Sequence, residues 1–184
     1  MVGFFMCSCE NDIKKVKELQ EKRLGVDQAK NIESFFSHAG QIRAKLTAPL
    51  MYRYQFDTPK IEFPRNLHVD FYDSTRNIES QLFAKYGRYF ENSGLVFLRD
   101  SVVFFNIRKD TLWCNELYWD RDKEQFYTDK PVVMSQHDPA KPEQKIYAQG
   151  GMISDQNFKI ISFKNVGKVY NGFESFIKVK DSTQ

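Results

Sequence analysis

Histidines, cysteines and plentiful carboxylates are the residues of this chain that could act as bases, nucleophiles or metal ligands. None stands in a spacing that such chemistry needs. His38, His68 and His137 lie far apart, with no HxH or HxxxH pair to put two imidazoles on one metal. No glycine-rich phosphate loop, Gly-x-Ser-x-Gly elbow or CxxC occurs. Asp120, Asp122 and Asp155 sit in turn-like sequence, where a carboxylate bonds nearby backbone. Carboxylate pairs from distant strands, as glycosidases use, leave no local signature and stay compatible with the chain. Cys7 and Cys9 are too close for a disulfide framework and lack a partner cluster for zinc. No metal and no cofactor is expected.

Charge narrows the partners. A net charge of +3, from 27 Lys+Arg against 24 Asp+Glu, supplies no strong basic excess, so nucleic acid is not an expected partner. The 17 Phe and 9 Tyr sit in alternating runs among mixed charges, which suits a core or ligand cavity better than base stacking. Length predicts one domain with an appendage.

The elements that must position these residues follow from a repeat. Ile42/Ala44, Ile78/Ser80, Leu112/Cys114 and Ile146/Ala148 each place a small residue two positions after an apolar one, at intervals of 34 to 36 residues. Each pair is followed by turn material and a second alternation: Leu67, Val69 and Phe71, then Val102 and Phe104, then Val132 and Met134. A spacing of two is the period of a strand, whereas a helix would repeat at three and four. Strand-turn-strand units are therefore expected, with no helix from residue 42 to about 170. Stacked, their in-phase residues form one apolar face, to which Ala44, Ala84 and Ala148 contribute. Small residues at Ala44, Ser80, Cys114, Ala148 and Gly150 are expected to leave room for a long apolar guest. A plain sandwich core is the alternative.

Residues 1–9 resemble the back half of a bacterial lipoprotein signal, with Cys9 as the lipidated first residue of the mature chain. The basic leader is missing, so the signal is expected to begin upstream of Met1. Lipid chains on Cys9 would anchor the protein without a spanning helix; a short apolar tail is the alternative. Residues 10–30 read as a charged tether. Ile13, Val16 and Leu19 predict a short helix stopped at Gly25. Residues 31–184 form the β domain, with Asn31–Ser37 as a first strand.

Three stretches carry a family resemblance. Gly40 to Pro49, with Ile61-Glu62-Phe63-Pro64 and Val69 to Asp73, is the first; Leu112 to Asp120, with Phe126 to Val132, is the second; Gly150-Gly151-Met152-Ile153-Ser154-Asp155-Gln156-Asn157-Phe158 is the third. Together they resemble the LptC family of lipopolysaccharide export proteins, with Cys114 where the family pattern has Thr.

The resemblance implies an all-β fold: a twisted, open antiparallel jelly roll whose apolar trough holds the acyl chains of lipopolysaccharide. It implies a non-enzymatic carrier in the periplasm of a Gram-negative bacterium, tethered to the inner membrane. Such a carrier receives lipid from the export transporter complex and hands it to an LptA-like periplasmic bridge protein. The trough would be lined by Leu67, Val69, Phe71, Val102, Phe104, Val132, Met134, Ala44, Ala84 and Ala148. Gly150 and Gly151 would form a turn, and Phe158, Ile160 and Ser162 an edge strand for a partner. Two alternatives stay open: the soluble bridge component of the same pathway, and an all-β carbohydrate-binding or hydrolytic domain of a surface lipoprotein.

Overall fold

Alternation of apolar and polar residues resolves into fourteen strands in a computed structural model that describes residues 25–171 apart from 56, 141–143 and 157. No helix occurs among the described residues. Cys9 and the helix expected around Ile13 to Leu19 lie outside them. In chain order the strands are β1 (Val26–His38), β2 (Gln41–Tyr54), β3 (Lys60–Phe63), β4 (Leu67–Tyr72), β5 (Ile78–Ala84), β6 (Tyr86–Phe90) and β7 (Leu95–Asn106). After them come β8 (Thr111–Asp120), β9 (Gln125–Thr128), β10 (Val132–Gln136), β11 (Gln144–Ala148), β12 (Met152–Asp155), β13 (Ile161–Phe163) and β14 (Val166–Asn171). All pairings are antiparallel.

Three long strands are each shared between two layers. β2 pairs β4 through Ala44–Thr47 and β3 through Tyr52–Tyr54. β7 pairs β6 through Leu95–Arg99 and β5 through Val103–Asn106. β8 pairs β10 through Thr111–Cys114 and β9 through Tyr118–Asp120. One layer therefore runs β2-β4-β5-β7-β8-β10-β11-β14 and the other β2-β3-β6-β7-β8-β9-β12-β13, with β1 along the whole of β2. This is an antiparallel β-jelly roll, as expected.

The strands change layer at identifiable bends. Asn31, at φ 50, and Pro49 are both skipped by the β1–β2 ladder. Asn tolerates the left-handed region and Pro has no N–H to lose from the ladder, so the bend falls at low cost. In β7 the bend is a bulge at Asp100 and Ser101, at φ 64 and 56, between the paired residues Arg99 and Val102. A bulge turns the strand and increases its twist. β1 starts at Val26, five residues inside the stretch read as tether.

Register explains the sequence repeat. Leu46, Val69, Leu82, Phe104, Leu112, Met134 and Ile146 are direct partners across seven strands of the first layer. Each repeat is one pair of strands crossing this row. Two of its leading residues do not join the core: Ile42 and Ile78 are exposed. Register shifts at Phe36/Ser37 and Phe71/Tyr72 rotate these strand ends, so their side chains face outward.

Candidate functional site: an apolar interior between two layers

All ten residues expected to line a trough are buried in one core. Full burial of an apolar side chain is worth about 1.5–3 kcal/mol, so this core supplies much of the stability as well as any binding surface. The small residues are differently used from the expectation. Phe71 pairs Ala44 on one side and Ser80 on the other, and its ring takes the room they leave. Val132 likewise pairs Cys114 and Ala148. Cys114 packs against the core, and burial pushes its thiol up to about 12, which makes it a space-filling residue and no nucleophile at neutral pH.

A chain of rings crosses the interior. Phe36 of β1 meets Trp119 edge-on at 5.9 Å; Trp119 meets Phe71 at 5.2 Å and Phe126 at 5.8 Å; both approach Phe104. Phe104 then stacks on Phe158 at 3.7 Å. At the Phe36 end lies a cavity of about 120 Å³ lined by Ser34, Met51, Ile61, Leu67, Val69 and their neighbours from both layers. At the Phe158 end lies an open groove of about 830 Å³ with Met134, Phe158, Ile161 and Phe163 as apolar lining and Arg108, His137 and Lys159 among its polar residues. The cavity is smaller than the roughly 300–1,000 Å³ of typical ligand pockets, so a long chain enters only if the rings shift.

The groove rim is braced by polar contacts. Asp110 accepts from Asn106 Nδ2 at 2.9 Å and from the His137 backbone N–H at 3.0 Å, and pairs with Arg108 at 3.1 Å. His137 thus meets Asp110 through its backbone. His68 stacks on Phe83 and touches Asp70 on the outer face. Asp70 itself is buried there, covered by Lys45, His68 and Gln81, although it lies outside the core. Asp120 and Asp155 accept backbone N–H bonds from Lys123 and Ile160 within their turns. Among the described residues no group of three His, Cys, Asp or Glu could hold a metal ion.

The late stretch needs correction. Phe158 is 2 % exposed and belongs to the core, so it is not part of a partner edge. Ile160 is 73 % exposed but precedes β13, its N–H held by Asp155 Oδ1 at 2.7 Å. Of the three, only Ser162 lies on an edge strand: among the described residues β13 pairs β12 alone. Gly151, at φ 83, carries the turn, because a Cβ there would stand 2.1 Å from the Thr128 carbonyl oxygen. The quoted motifs converge in space: Gly151 on Thr128, Gln156 Oε1 accepting from Trp119 Nε1 at 3.3 Å, and Phe158 beside Phe126. Trp119, Phe126 and Phe36 join this interior without belonging to the alternating runs of the repeat. Trp119 lies in a resemblance motif, but β8 changes its inward phase between Cys114 and Leu117, opposite the β7 bulge, so the alternation that starts at Leu112 does not reach it.

Fold and interior define a β-jelly roll whose apolar core runs from a small cavity to an open groove. Residues 10–140 match the family described as lipopolysaccharide-assembly, LptC-related, which covers more than half of the chain. The chain belongs to that family and is a component of lipopolysaccharide transport. No curated protein matches it. No helix among the described residues is long and apolar enough to cross a membrane.

Proposed function

We propose that this protein carries lipopolysaccharide by its acyl chains, taking lipid from the export transporter at the inner membrane and passing it to a periplasmic bridge protein. The observation that supports the reading best is the row of rings joining the cavity beside Phe36 to the groove beside Phe158. An acyl chain needs apolar surface along its length and no charged site. Each buried methylene contributes about 0.8 kcal/mol, so partial coverage holds a chain and still lets it go. The protein does no covalent chemistry in this role; ATP hydrolysis by the transporter drives the flow. Lipidation at Cys9 would keep it on the membrane. Among the described residues β1, β13 and β14 each pair on one side, and β1 would turn its other edge toward the transporter and β13 and β14 theirs toward the bridge protein.

Photoreactive residues test this in cells. At Val69, in the cavity, and Met134, in the groove, they are expected to crosslink to lipopolysaccharide. At Ser162 the expected adduct is the bridge protein. Lipid adducts from the outward-facing Trp113 alone would sink the reading. Replacing Cys9 by Ala should release the protein from membranes, and continued sedimentation with them would rule the lipid anchor out.

A further inference from the structure

We propose that Phe158 is a removable plug, closing the groove-side mouth of the interior and turning out when an acyl chain arrives. The inference rests on the acyl-carrier reading above and assigns one residue to its control. Phe158 is buried and stacked on Phe104 at 3.7 Å, yet it also lines the groove outside. It is thus the wall between core and groove.

Its backbone is held in an unfavourable state. The φ of Phe158 is 52, a left-handed conformation that bulky residues rarely adopt and that persists only when its surroundings enforce it. The enforcement is local: Asp155 accepts from the Phe158 N–H at 3.1 Å through its carbonyl and from the Ile160 N–H through its carboxylate. β13, which follows, is three residues long and pairs only β12 among the described residues. When the two Asp155 bonds open as the ring leaves the core, the left-handed φ is released, and among the described residues only the short β12–β13 ladder has to yield with it. Met134, Ile161 and Phe163 supply apolar surface on the groove side to receive either the ring or the chain. Arg108 and Lys159, largely exposed beside that surface and paired with Asp110 and Glu79, give the rim a mixed charge, Asp138 included, that suits a polar head group. Residue 158 lies beyond residues 10–140, which match the family.

The test uses the full chain and dansyl-undecanoic acid, a fluorescent fatty acid, in stopped-flow binding. Phe158→Ala and the milder Phe158→Leu are compared with the wild type, with thermal unfolding as a check on folding. Both variants are expected to bind faster, Phe158→Ala by about fivefold or more, the scale of one lost aromatic contact. In the otherwise unaltered chain, para-fluorophenylalanine at position 158 reports the ring by fluorine NMR. Its resonance should become accessible to a soluble paramagnetic chelate once the fatty acid saturates the protein. Binding at unchanged rates, with a fluorine that stays shielded, would overturn the plug and leave the carrier reading intact. No binding by any of the proteins would overturn the carrier reading and the plug with it.

Discussion

Phe71 meets Trp119 edge to face, ring centroids 5.2 Å apart and planes at 78°. Phe71 comes from β4 in the first layer, and Trp119 from the part of β8 that has crossed into the second. The contact is where the two layers are joined at the centre of the ring row, with Phe36 on one side and Phe104 on the other.

Trp119→Ala is expected to destabilise the fold by about 3–5 kcal/mol, the usual cost of emptying a large aromatic site in a core. Trp119→Phe should cost less, although it leaves Gln156 without the indole N–H it accepts from. Urea unfolding measures both. With Trp113 replaced by Phe, emission from the buried Trp119 should also respond to added lipid, since any chain following the ring row passes it.

Gly151→Ala should lower stability by more than about 2 kcal/mol, in the class of substitutions that force strain at a special backbone position. The new Cβ would collide with the Thr128 carbonyl oxygen, and both partners are main chain, so neither can swing aside. Gly150→Ala, whose nearest contacts on Lys164 are 3.0–3.1 Å away, should be milder. Thermal melting distinguishes the two.

Cys114 should resist alkylation at pH 8 in the folded protein and react fully after unfolding in urea. With the thiol pushed up to about 12 by burial, roughly one molecule in ten thousand carries the thiolate at that pH. The alkaline limb has a definite sign. The folded state keeps this proton to higher pH than the unfolded chain, so stability is complete below about pH 9 and falls as pH rises from there toward 12. Cys114→Ala should flatten that fall. Alanine fills the corresponding slots at Ala44 and Ala148, so the variant should fold.

Much of the first layer was legible in the chain because its strands obey one rule. Leu67, Val69 and Phe71 alternate cleanly, and the antiparallel register that matches them to Leu46 and Leu82 preserves the alternation from strand to strand. The all-β class, the absence of helix across the described β domain and the core role of Cys114 follow from that period of two. The family motifs also marked Gly151, Trp119 and Phe126 in order, without saying that they meet.

What the sequence by itself determined was which residues alternate, and hence which can share a face. Which of them meet was decided by the bends. Asn31 with Pro49, and Asp100 with Ser101, send β1, β2 and β7 from one layer to the other, and no local pattern encodes the distance such a strand then travels. The phase change of β8 between Cys114 and Leu117 turns Trp119 inward against Phe71, and the turn at Asp155 swings Phe158 from an apparent edge into the core. The physical reason is the same in both cases. A strand's period fixes the side of the sheet a residue faces, whereas contact across the interior depends on how two twisted layers close on each other.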